Sequence, residues 1–192
     1  VSVKSNNRIT LLSRLEQATQ TAIKLEIEEI VAEARNRGEA WVGSWTAASV
    51  RSELDLGSTL LALGQNDQHL EAFLCFRPPG PFWEILLVVT LGHSRGQRLA
   101  GALIDALFDH IEEVGQVDGT PHDVDSAIFE VGLEVRADNF SALRCYKSCG
   151  FIEQGRRKGY YPSAGTGSTD AILMSLKRRR RTGPTVKAPG KQ

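Results

Sequence analysis

Apolar residues recur along this 192-residue chain with two different periods, and the switching between them marks out helices and strands. Ile23, Ile27, Ile30 and Val31 share one face of a helix predicted from about Glu16 to Arg35. Residues 9–15 predict a first strand before it, Asn36–Gly43 a break, and Trp45–Leu56 a second, shorter helix. Three strands are then predicted over Ser58–Leu63, His69–Arg77 and Phe82–Leu91, punctuated by the turn GQNDQ and by PPGP. Leu99, Leu103, Leu107 and Ile111 repeat at helical spacing within Arg95–Val114, and residues 115–126, GQVDGTPHDVDS, read as loop. Ile128–Arg136 alternates as a strand, after which Asp138 or Asn139 can cap a helix that Gly150 stops beyond Ser148. Phe151–Tyr160 and Asp170–Leu176 complete a hairpin around PSAGTGST. The expected fold class is therefore α/β, a mixed central sheet flanked by helices, with no internal repeat.

Composition adds bounds. The chain is 41% hydrophobic and of a length usual for one domain. The longest apolar run, ILLVVTL, ends at Gly92 and falls short of the roughly 18 residues of a membrane span, so no membrane role is expected. The first residues show no apolar core or cleavage pattern, which gives secretion no support. Cys75, Cys145 and Cys149 have no CxxC spacing; buried free thiols in a reducing cytoplasm are the reading, with a disulfide or metal pair as the alternative. A formal net charge of zero conceals an asymmetry. Residues 177–192 hold seven cations and no acid, leaving 16 basic against 23 acidic side chains in residues 1–176. An acidic domain over 1–176 and a basic, disordered tail over 177–192 are expected.

Three places carry candidate chemistry. A strand that turns through LGHSRGQRLAG into a helix presents free backbone N–H groups at a positive helix end, which suits phosphate; taken alone the signal is weak, and an ordinary turn with surface arginines is the favoured reading. Glu134 lies on the polar face of its strand with Glu130, Gly132 and Arg136, where the bland reading is a solvated Glu134–Arg136 pair. Tyr146 shares a helix face with Ala142, Cys145 and Cys149, where the bland reading is a core aromatic. His69, His93, His110 and His122 lack metal-ligand spacing and read as surface residues, so no metal is expected. No Ser-His-Asp or Cys-His set is apparent, which argues against covalent catalysis.

Taken together, the run LEVRADNFSALRCYKSCGFIEQGRRKGYYP resembles the second half of a GNAT-superfamily acetyltransferase. More narrowly it is similar to the RimI-like enzymes that acetylate the N-terminal alanine of a ribosomal protein. LEVR, N, A, Y, GF and RRKGYYP occur in order and in register, and the resemblance covers about residues 82–176, with Trp45 a further match upstream. It implies a GNAT fold with an acetyl-CoA cleft between the two middle strands. Arg95, Arg98 and Ala100 fall on the first, fourth and sixth positions of the family's Q/R-x-x-G-x-G/A pyrophosphate loop. The cofactor-binding residues implied are Arg95, Gly96, Gln97, Arg98, Leu99, Ala100 and Gly101, with Asn139, and with Val88, Val89 and Thr90 along the strand that the pantetheine arm follows. Arg98 stands where the family usually has glycine; a helical backbone there would accept arginine without strain, and its charge could serve the phosphates.

The resemblance also implies roles. Glu134 would be the general base, acting through water, and Tyr146, twelve residues later, the acid that protonates the departing thiolate. A backbone N–H near Val88 and Val89 would hold the tetrahedral oxyanion. The implied partner is the N-terminus of a small-subunit ribosomal protein, with a weak rRNA contact through the basic tail. Two alternatives stay open: a GNAT enzyme acting on another amine (lysine, polyamine or antibiotic), and a catalytically weak CoA-binding, ribosome-associated module.

Overall fold

The structure is a computed structural model, and it describes residues 7–56, 58–64, 69–77, 83–116, 128–162 and 167–179. Seven strands form one sheet: β1 (Arg8–Leu11), β2 (Thr59–Leu63), β3 (Leu70–Arg77), β4 (Trp83–Thr90), β5 (Ile128–Arg136), β6 (Ile152–Pro162) and β7 (Ser168–Arg179). Four helices accompany them: α1 (Gln17–Asn36), α2 (Ala47–Asp55), α3 (Leu99–Gln116) and α4 (Phe140–Ser148). The spatial order is β1-β2-β3-β4-β5-β7-β6. Every neighbouring pair is antiparallel except β4 and β5. A parallel pair needs a long crossover, and α3 lies within it.

Strand patterning decides where the helices sit. In β2 all five residues are buried, which requires cover on both faces. Leu61 and Leu63 join Ile23, Ile27, Val31, Val50 and Leu54 of α1 and α2 in one apolar layer. Leu60 and Ala62 join Leu103, Ile104, Leu107 and Phe108 of α3 in the other. β5 alternates: Phe129, Val131, Leu133 and Val135 enter the α3 layer, while Glu130, Gly132 and Glu134 turn to the opposite face. Burying one such Leu, Val or Phe contributes about 1.5–3 kcal/mol. Local signals agree with the packing. Thr46 and Ser49 form a reciprocal capping box on α2, and the Asn139 side chain caps α4 by accepting from the Ala142 N–H at 3.1 Å.

Three boundaries depart from the sequence reading. α3 starts at Leu99 and not Arg95, because Gly96 and Arg98 both have positive φ, at 82° and 61°, and cannot lie in a right-handed helix. β7 runs on to Arg179, so residues 177–179, read as the start of the tail, pair with β5 from Glu130 to Ile128. The Arg178 guanidinium lies 4.5 Å from the Phe108 ring centroid, which gives that extension an apolar seat. The third is at the N-terminus, where β1 ends at Leu11 and residues 12–14 form a 3-10 turn. Most of the 115–126 loop and residues 180–192 of the tail lie outside the described residues.

Candidate active site

The two parallel strands meet only briefly. Trp83 pairs with Val131, Glu84 with Gly132 and Ile85 with Leu133, and among the described residues the ladder goes no further. Glu134 is the next residue on β5, so it stands where the strands part. On the other side of the gap, β4 remains paired to β3 through Val88↔Leu74, Val89↔Phe73 and Thr90↔Ala72. In an antiparallel pair successive residues alternately bond their partner or face away with both N–H and C=O. Of Val88 and Val89, therefore, one offers its backbone N–H to the gap and the other is committed to β3.

At the end of β4 the chain makes a 3-10 turn over Gly92–Ser94 and passes through Arg95, Gly96, Gln97 and Arg98 into α3. All four are exposed. The Arg98 carbonyl accepts the first helical hydrogen bond, from the Ala102 N–H at 3.1 Å, leaving the N–H groups at the start of α3 without helical partners. Arg98 is the one non-glycine residue with positive φ among the described residues. The expectation that a helical backbone accommodates arginine there is thus corrected: the position demands the left-handed region, at a cost of about 1–2 kcal/mol for a residue with a Cβ. Gly101 lies in the first turn of α3, where a Cβ would come within 3.9 Å of the Cys149 Sγ, so the end of α4 borders the loop.

Glu134 does not pair with Arg136. Its carboxylate lies 2.7 Å from the Arg157 guanidinium of β6, with the Glu134 side chain 25% exposed. Arg136 is buried; it bonds Asp138 at 2.8 Å, donates to the Pro162 carbonyl at 3.2 Å and stacks over Tyr161. Burial first, and the charge of Glu134 second, push the Tyr161 phenol above its ordinary pKa. Tyr161 also meets the loop between α1 and α2: a Cβ on Gly43 would sit 3.6 Å from its ring. Glu134, Arg157, Tyr160 and Tyr161 therefore form a polar and aromatic wall on the open face of the sheet, with the α1–α2 loop beside it.

Tyr146 is buried on α4, its ring edge-on to Phe151 at 5.9 Å. Burial, and then the neighbouring thiols Cys145 and Cys149, push its phenol well above the ordinary value, so it remains protonated across physiological pH. Asn139 is engaged through Oδ1, which accepts from the Ala142 N–H and the Ser141 hydroxyl at 3.0 Å; its amide nitrogen is the group left for a ligand. Cys75 is buried, whereas Cys145 and Cys149 are half-buried, so the expectation of buried thiols holds for Cys75 alone. His110, read as a surface residue, packs against the Phe76 and Trp83 rings at 5.6 and 6.1 Å, and His93 faces Glu71 at 3.0 Å.

The fold thus brings the β4 edge and Glu134 to one gap, with the loop continuing from β4 and the end of α4 beside that loop. Sequence reasoning missed Arg157 and Tyr161 as neighbours of Glu134. The available signal was the RRKGYY segment, but the strand order that carries it to Glu134 was not readable.

No protein-family model matches the chain. It is 38% identical over 80 residues to the [ribosomal protein bS18]-alanine N-acetyltransferase of Escherichia coli K12, a match spanning 42% of this chain and 45% of that enzyme. The chain thus matches less than half the length of its curated relatives. The crystal structure of the ribosomal-protein-S18-alanine N-acetyltransferase from Escherichia coli superposes with a TM-score of 0.65 at 24% identity, covering 95% of this chain and 99% of that one. The chain has the GNAT fold. In it the mixed sheet parts between β4 and β5. The NatC complex, solved with a Gag peptide and CoA, shares this GNAT fold with a TM-score of 0.63 at 18% identity over 88% of this chain and 97% of that one. No helix among the described residues is long and apolar enough to cross a membrane.

Proposed function

We propose that the protein is an acetyl-CoA-dependent N-acetyltransferase acting on a protein α-amine, with N-terminal alanine of a ribosomal protein as the preferred acceptor. The observation that carries this reading is the position of Glu134 on β5 at the point where β4 and β5 part. The sequence relation to the bS18-alanine enzyme supports the acceptor class.

The residues present suit acetyl-CoA as donor. The N–H groups at the start of α3, flanked by exposed Arg95 and Arg98, offer a pyrophosphate cradle, and the free β4 edge offers hydrogen bonds to an extended amide arm. Acetyl-CoA supplies an activated acetyl group; the chain supplies the rest. Glu134 accepts the amine proton through water, a β4 N–H donates to the carbonyl oxygen, and Tyr146, protonated and buried, hands its proton to the leaving sulfur. Asn139 holds the donor through its amide nitrogen. The RRKGYY segment and the α1–α2 loop border the acceptor.

An α-amine is favoured for a physical reason. With a pKa near 8 it is about one-tenth neutral at pH 7, whereas a lysine near 10.4 is neutral in only about one molecule in 2,500. Freeing the lysine costs on the order of 3 kcal/mol more, and the site has one base to offer. Mass analysis of peptides incubated with acetyl-CoA tests the reading. An alanine-start ribosomal peptide should gain one acetyl group at its N-terminus, and the same peptide blocked there but carrying free lysines should not. Preferential acetylation of the blocked peptide overturns the acceptor assignment.

A further inference from the structure

We propose that Glu71 is a positioning residue for the pyrophosphate loop, clamping the turn that presents it; this rests on the reading of Arg95–Gly101 as the donor's phosphate cradle. Glu71 lies on β3 beside Ala72, whose partner on β4 is Thr90, so it stands at the end of β4 where the loop begins. Its backbone carbonyl accepts from the Leu91 N–H at 2.9 Å, and its carboxylate accepts from the Ser94 hydroxyl. The same carboxylate oxygen, Oε2, lies 3.0 Å from His93 Nε2. One residue thereby grips the turn both just before Gly92 and at its last residue, immediately ahead of Arg95.

Burial makes the grip count. Ser94 is 0% exposed, and the Glu71 side chain only 16%. A hydroxyl sealed from water has no substitute partner, and a bond to a carboxylate is about twice as strong as one between neutral groups. Room for the carboxylate comes from Gly64, where a Cβ would lie 2.6 Å from Glu71 Oε1. The side chain can swing away from such a methyl, but doing so carries it off Ser94. Gly64, Glu71 and Ser94 therefore act as one unit. Downstream of it Gly96 and Arg98 both hold positive φ, a backbone path that keeps its aim only if its origin is fixed.

The test uses the full chain and acetyl-CoA itself, by calorimetry and by steady-state kinetics with the alanine-start peptide. Ser94→Ala and Gly64→Ala should each raise the Kd and KM for acetyl-CoA about tenfold, the loss of one charge-assisted hydrogen bond. The peptide KM, and kcat at saturating acetyl-CoA, should stay within about twofold, and Ser94→Thr, which keeps the hydroxyl, should restore acetyl-CoA binding. Gly64→Ala retains every polar group, so it reports on placement even where Ser94→Ala folds poorly. Unchanged acetyl-CoA affinity in both alanine variants, or an equal loss for both substrates, overturns the inference while the donor reading stands. Failure of the unmodified protein to bind acetyl-CoA overturns the donor reading and the clamp with it.

Discussion

The two ends of the sheet are built on opposite terms. In β2 all five residues are buried between α1 and α2 on one side and α3 on the other. In β6, of eleven residues, only Gly155 and Tyr161 are even partly buried, and the rest meet solvent. The covered end gains its stability from apolar area; the open end has little to gain there and carries Arg157 and Tyr161 instead. A region that contributes little to the core is free to carry charge next to Glu134.

The comparison breaks first at the chemistry. Tyr146→Phe should lower turnover by roughly 10²–10⁴-fold while the far-UV spectrum and acetyl-CoA binding hold, since one proton is lost and no apolar contact. Glu134→Gln should change both the rate and the shape of the pH–rate profile. Near-normal turnover in both would remove Glu134 and Tyr146 from the mechanism.

The next test sets the ends against each other. Phe73→Ala, emptying a fully buried site in β3, should cost about 3–5 kcal/mol in a urea melt. Arg157→Gln should cost under about 1 kcal/mol, because its side chain is 51% exposed and solvent screens the pair. Similar losses from the two would mean the open end is structural after all.

Alkaline pH probes the covered end through Cys75. Burial pushes the Cys75 thiol from 9.0 up to about 12. A group whose folded pKa is raised stabilises fully below its unfolded value and loses that contribution as pH climbs toward the folded one. Stability should therefore fall from about pH 9 upward, with Cys75 accounting for about 2–3 kcal/mol by pH 11, and Cys75→Ala should remove that share. An identical alkaline slope in the variant would refute the assignment.

Arg98→Gly should have the smallest effect and the opposite sign. Relief of the left-handed penalty, about 1–2 kcal/mol, exceeds the extra freedom glycine has in the unfolded chain, about 0.5–1 kcal/mol. The net is a gain of up to about 1.5 kcal/mol in a thermal melt, with acetyl-CoA binding kept or improved. Loss of binding would show that the guanidinium itself holds phosphate.

The elements were legible because their apolar period is strong, as in Leu99, Leu103, Leu107 and Ile111 of α3 or the alternation of β5. The placement of Glu134 on β5 and Tyr146 on α4 was legible because the LEVR to GYYP run fixes both in one register. Periodicity could not place the start of α3, since Arg95 to Arg98 are polar and bear no phase; their φ angles decide it. Nor could it find the Arg157–Glu134 pair. Those residues sit on β6 and β5 with β7 threaded between them, and the register Arg136↔Ala171↔Arg157 exists only once the hairpin has folded back. The same holds for Ser94, a small polar residue whose partner lies on another strand.

The brief meeting of β4 and β5 has a mechanical consequence. Two plates joined along Trp83–Ile85 and Val131–Leu133 form a seam left unstitched over the rest of its length. An extended molecule lying in that opening supplies the missing rungs, so occupancy and cohesion rise together in proportion to RT ln(1 + [L]/Kd). Filling the gap would stiffen the joint between the two plates, and under the function proposed above the protein would be at its most rigid when the acetyl group is in place and an amine approaches.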